Sequence, residues 1–87
     1  ELLVTFLSEA PTMLETLKTA VAKEDADAYR RAAHSIKSNA EIFGATALAD
    51  LSRRMELTRL SDAPPPVGDL ETMWSDTEKA LKALHNA

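Results

Sequence analysis

His34 is preceded four residues earlier by Arg30 and followed three residues later by Lys37. On a helix both positions adjoin the imidazole on its own face. A ring nitrogen able to act as a nucleophile would then stand between two cations able to neutralise an anionic group attached to it. At about 100° per residue, Asp27, Arg30, Arg31, Lys37, Ser38 and Glu41 all fall within about 60° of His34 and make a polar stripe. Tyr29, Ala32, Ala33, Ile36, Ala40 and Phe43 fall on the opposite side, which is the expected core face. A lone exposed histidine is most often ordinary surface, so its neighbours carry the functional reading.

Other chemistries lack their parts. Zinc sites need three or four ligands at suitable spacing. Here there is no cysteine and no HExxH pair, and His34 and His85 are far apart in sequence, so no metal site is expected. Two glycines cannot build a phosphate-cradling loop, which argues against ATP binding and leaves no cofactor expected. A nucleophile–base–acid triad needs a carboxylate that orients the imidazole. The acids near His34 in sequence lie on the exposed stripe, so hydrolytic catalysis is not expected.

The elements that must position His34 are helical. The chain has 87 residues, 45% of them hydrophobic and only two of them glycine, which suits one all-α domain too small for an internal enzyme cleft. A net charge of −4 argues against nonspecific attraction to nucleic acid or an anionic membrane. No apolar run approaches the ~20 residues of a membrane span, and no signal peptide is recognisable, so a cytoplasmic location is expected. The sequence starts at Glu1 on a helical pattern already under way, as expected of a domain taken from a longer protein.

Leu2, Leu3, Phe6 and Leu7 share a stripe, and Pro11 suits a helix's first turn better than its interior. The pattern predicts a short helix over 1–9 and a second over 11–23, with one kinked helix as the alternative. Asp25 offers an N-cap for the His34 helix, predicted over 26–43, and Gly44 ends it. Thr46 is the expected cap of a helix over 46–60. Its inner stripe is Leu48, Leu51, Met55 and Thr58 or Arg59, and Asp50, Arg53, Arg54 and Glu56 face outward. Three prolines, Pro64 to Pro66, break the pattern before a last helix over 68–85 with Trp74 as an apolar anchor. Short connections make neighbours antiparallel, giving an up-and-down antiparallel four-helix bundle with a short extra N-terminal helix.

The run Ala33-His34-Ser35-Ile36-Lys37-Ser38-Asn39-Ala40-Glu41-Ile42-Phe43-Gly44-Ala45 resembles the signature of histidine phosphotransfer (HPt) domains, in which AHxxK is followed by a small residue and by Gly ten residues past the His. Leu48, Asp25, the apolar N-terminal pattern and the overall size extend the likeness over nearly the whole chain. The resemblance implies a phosphorelay carrier, not itself a catalyst, that accepts a phosphoryl group from a receiver-domain aspartate and hands it to another. It makes His34 the phosphorylation site, Lys37 the phosphate-stabilising cation, and Gly44 the residue whose missing side chain permits close docking. The partners implied are response-regulator receivers, which bring their own Mg²⁺, and the parent is a hybrid sensor kinase or a standalone carrier. Two positions depart from the pattern: Ser38 stands where many members have glycine, and Glu41 puts a negative charge on the His34 face.

The expected docking surface takes Arg30, Ser38, Glu41, Gly44, Ala45 and Arg53, with Arg54 as a further charged contact and Ile42 and Ala49 as further apolar ones, on a monomeric bundle. Two alternatives remain open in the sequence. One is the phosphoacceptor domain of a chemotaxis-type kinase, distinguished by which donor labels His34. The other is a helical protein-interaction adaptor without phosphochemistry; a ligand-binding bundle is a poorer third, since no polar residues converge on the inner stripes.

Overall fold

The computed structural model describes residues 2–86; Glu1, where the first helix is expected to begin, and Ala87 lie outside the described residues. Four α-helices follow one another: α1 Leu2–Ala22, α2 Ala26–Ile42, α3 Thr46–Leu57 and α4 Val67–His85, with a short 3₁₀ turn at Leu60–Asp62. α1 packs on α2, α2 on α3, α3 on α4, and α4 back on α1. That closed ring of sequential neighbours is the up-and-down bundle expected from the short connections.

The expected break at Pro11 is absent, because α1 runs unbroken through the proline and the short N-terminal helix is simply its first turns. Proline in a helix interior costs about 3 kcal/mol. Against that stands one continuous buried stripe, Phe6, Ala10, Leu14, Leu17 and Ala20, at spacings of three and four across it. Burying Phe6, Leu14 and Leu17 contributes about 1.5–3 kcal/mol each. Packing therefore outweighs propensity, and Pro11 itself faces solvent.

The caps fix where α2 begins and ends. Asp25 has extended backbone and its Oδ1 accepts from the Ala28 N–H at 3.1 Å, as an N-cap should. At the other end Gly44 takes a left-handed φ of +68°, the Ala45 N–H donates to the Ala40 carbonyl at 2.9 Å, and the Gly44 N–H donates to Glu41 at 3.2 Å. α1 ends in the same way, with Glu24 in the left-handed position at φ +54°. Thr46 does not cap α3. Ala45 holds that position without a side-chain bond, while the Thr46 hydroxyl turns back to the Gly44 carbonyl. α3 also stops at Leu57, earlier than expected, because the Thr58 hydroxyl and N–H donate to the Arg54 and Met55 carbonyls and close the last turn. Thr58 and Arg59 thus lie beyond the inner stripe.

The core is built as the periodicity predicts on α2: Tyr29, Ala32, Ala33, Ile36 and Ala40 are buried, and Phe43 packs against them from the helix end. Leu48, Leu51 and Met55 of α3 and Leu70, Trp74 and Leu81 of α4 complete it. Phe6 stacks on Phe43 at 5.4 Å between ring centroids and meets Trp74 edge-on at 5.2 Å, so one ring of α1 joins the C-terminal end of α2 to the middle of α4. With its back anchored in this way, α2 turns His34 outward.

Candidate functional site

His34 lies in the middle of α2, eight residues past the Ala26 start, with its side chain 57% exposed. Its Nδ1 is 2.7 Å from Oε1 of Glu56, a residue of α3. The other carboxylate oxygen of Glu56, Oε2, forms an ion pair with Nζ of Lys37 at 2.9 Å. One carboxylate thus holds both members of the His-x-x-Lys pair. Glu56 and Lys37 are mostly covered, at 17% and 21% side-chain exposure, so Lys37 sits in the α2–α3 crevice rather than free on the solvated stripe.

The electrostatics follow from that geometry. The hydrogen bond from the Lys37 ammonium is the main cause that holds the Glu56 carboxyl below the usual carboxylate range; burial pushes the other way, and the bond to His34 adds a lesser lowering. An ionised carboxylate only accepts hydrogen bonds, so the hydrogen in the 2.7 Å contact belongs to Nδ1. A neutral imidazole with its proton on Nδ1 carries its lone pair on Nε2. The arrangement therefore favours the Nδ1–H tautomer and leaves the lone pair of the other nitrogen free of the Glu56 contact.

Glu56 is the residue of this cluster that the sequence reading places wrongly, among the outward residues of α3. It supplies the orienting carboxylate judged absent near His34, from 22 residues away across the helix pair. The only available signal is its position beside the inner-stripe residue Met55, at the border of the buried face. A triad is still not assembled: among the described residues no hydroxyl or thiol is hydrogen-bonded to His34, and no cluster of three His, Cys, Asp or Glu side chains is placed to hold a metal.

The remaining expected site residues divide between two grooves flanking the His34–Glu56 contact. Towards the C-terminal end of α2, Lys37, Glu41, Gly44, Thr46, Asp50, Arg53 and Leu57 line a groove of about 540 Å³. Ser38 and Ala45 are half-buried on the helix and turn beside it. Glu41 and Arg53 are exposed and form no ion pair among the described residues. A Cβ on Gly44 would meet nothing within 4 Å, so the glycine is required here by its left-handed backbone. Ala49 is 7% exposed and belongs to the core, which removes it from the expected apolar contacts; Ile42, at 64%, remains available. Towards the N-terminal end, Arg30 pairs loosely with Asp27 at 3.7 Å and lines a second groove with Tyr29, Glu56, Leu57, Arg59 and Leu60. Arg30 thus flanks the site from the side opposite Glu41. No described helix is long and apolar enough to cross a membrane.

Compared with known proteins, the chain matches the family model described as Hpt domain over residues 1–86. No curated protein and no solved structure matches it.

Proposed function

The chain belongs to the Hpt domain family, whose members take part in phosphotransfer and meet receiver domains in phosphorelays, and from that premise we propose that it carries a phosphoryl group on Nε2 of His34 between receiver aspartates. The observation that carries this reading is the Glu56 contact to Nδ1, which leaves Nε2 unprotonated on an imidazole open to a partner. Nε2 attacks the phosphorus of an aspartyl-phosphate, the N–P bond forms, and the P–O bond breaks with its electrons returning to the aspartate carboxylate. No proton need move, since Nδ1–H is retained and the product is a phosphoimidazolium facing the Glu56 carboxylate. In the outward transfer the same proton lets the ring leave as neutral imidazole.

Lys37 has three donors on a flexible stem and stands one helical turn from the phosphoryl position. It neutralises the added charge, as a loose phosphoryl transition state requires of its surroundings. Mg²⁺ and the acidic groups that bind it belong to the receiver, and the bundle, monomeric and cytoplasmic on this reading, acts as a presenter rather than a catalyst. Ser38, Glu41, Gly44, Ala45 and Arg53 form the docking face on one side of His34, with Arg30 on the other. Glu41 then selects a partner with a facing cation.

The test is phosphorylation of wild type and His34→Gln by labelled phospho-receivers and by phosphoramidate. Acid-labile, base-stable label is expected on wild type alone. Label of that kind on the mutant refutes the assignment. A kinase domain that labels His34 when no phospho-receiver does would instead assign the chain as a kinase's own phosphoacceptor.

A further inference from the structure

Leu57 is the most exposed of the large hydrophobic side chains, at 74%, and it is the immediate neighbour of Glu56. It lines both grooves that flank the His34–Glu56 contact, so it stands at the ridge between them. Leu60, half-buried, extends this apolar surface into the groove on the N-terminal side, over the buried ring of Tyr29. Among the exposed large hydrophobic side chains, Leu57 is the one that lines the grooves beside His34. The last turn of α3 is closed by Thr58, so Leu57 sits on a fixed element.

The charges around Leu57 are arranged unevenly. Asp27 is engaged by Arg30, and Glu56 is engaged by both Lys37 and His34. Arg53, four residues before Leu57 on the same helix face, and Arg59, two residues after it, form no ion pair among the described residues. Of the carboxylates in the two grooves that form no ion pair among the described residues, Asp50 lies two helical turns before Leu57 on α3, Glu41 belongs to α2 and Glu24 to the turn before it. Next to the leucine, then, the charges left for a partner are both guanidinium groups, which favour planar carboxylates.

We infer that Leu57, flanked by Arg53 and Arg59, is the apolar anchor of the surface on which the receiver domain docks. The complementary receiver surface carries an apolar side chain beside carboxylates. This rests on the phosphocarrier reading, because a receiver whose aspartate reaches Nε2 of His34 covers about 800 Å² of the surface around that nitrogen, and Leu57 lines both grooves beside the His34–Glu56 contact. It moves the centre of the docking face from the Gly44 turn to the far end of α3. Interface energy concentrates in a few desolvated contacts near the centre of such a surface, arginines prominent among them, next to charges that tune the rate of encounter.

The experiment compares two phosphodonors on wild type, Leu57→Ala, Leu57→Asp and Arg59→Ala, with folding checked by thermal melts. Phosphoramidate needs no docking surface: Nε2 displaces ammonia from phosphorus, and the expected rates lie within about twofold of wild type for all variants. With the fastest phospho-receiver among those of the source organism, Leu57→Asp is expected to lower kcat/KM by about tenfold or more and Leu57→Ala by less. Arg59→Ala should weaken the dependence of that rate on salt. Equal receiver rates in wild type and Leu57→Asp overturn the inference. So does an equal loss with both donors, which would place Leu57 in the site itself, and so does the absence of any receiver that phosphorylates wild type while phosphoramidate does. Failure of phosphoramidate to label His34 would instead refute the phosphocarrier reading.

Discussion

Replacing Glu56 by Gln keeps the shape of the side chain and removes its charge, and the consequence for His34 can be worked from two distances. At 2.7 Å from Nδ1 and 2.9 Å from Nζ, the carboxylate makes one charge-assisted hydrogen bond and one close ion pair. Hydrogen bonds to charged groups contribute about 1.5–3 kcal/mol against about 1 kcal/mol for neutral ones, so the substitution forfeits about 1–2 kcal/mol at the imidazole. An amide can also donate to Nδ1, which would move the ring proton to Nε2 and block it. Most of the loss falls on the transition state, where the ring gains positive charge opposite Glu56. Phosphorylation by phosphoramidate should then slow by about fivefold to thirtyfold. Nitrogen-15 NMR of His34 should show the Nδ1–H form dominant in wild type and mixed tautomers in Glu56→Gln. An unchanged rate with an unchanged tautomer would refute the role assigned to Glu56. The same variant tests the sign of the pH dependence. Because the Glu56 carboxyl is held below its ordinary value of 4.5, the stability it contributes is present above that value and is lost as the pH falls through its folded-state value. The stability gap between wild type and Glu56→Gln should therefore close in acid, as read from melts across that range.

Lys37→Ala should slow phosphorylation by both kinds of donor while lowering stability by about 1–3 kcal/mol, since it leaves the mostly covered Glu56 carboxylate without its cation; single-turnover labelling and a thermal melt check the two halves. Pro11→Ala should stabilise the protein by about 2 kcal/mol, the helix-interior cost of about 3 less the stiffening that proline gives the unfolded chain. For a domain of this size that is a rise in Tm of about 8–16 °C. The Ser52 hydroxyl is buried in α3 without a hydrogen-bond partner among the described residues, so Ser52→Ala should be neutral or raise stability by up to about 1 kcal/mol in denaturant titrations.

What could be read from the sequence was local. The core face of α2 from Tyr29 to Phe43, the Asp25 cap and the Gly44 stop all depend on interactions within about one turn, and residue type with spacing is enough to place them. Pro11 misled because a local propensity met a burial stripe spanning both sides of it, and burial is the larger quantity. Thr46 misled because a residue suited to capping sits one position too late, leaving Ala45 at the cap. Glu56 was out of reach for a different reason. Periodicity assigns a residue to a face, but which side chain of α3 lies level with His34 depends on the length and shape of the turn between them.

That turn is three residues, Phe43 to Ala45, locked by its two backbone hydrogen bonds into α2. Connections between helices ordinarily tolerate inserted residues. An insertion here that lengthened α3 at its start would rotate the rest of that helix by about 100° and shift it by about 1.5 Å, enough to carry Glu56 away from both His34 and Lys37. The bundle would still bury its leucines after modest repacking, while the imidazole would lose its proton acceptor. The 43–45 segment therefore works as a phase setter between two helices. The three prolines Pro64 to Pro66 before α4 set no such phase, so a change of length there leaves Glu56 level with His34.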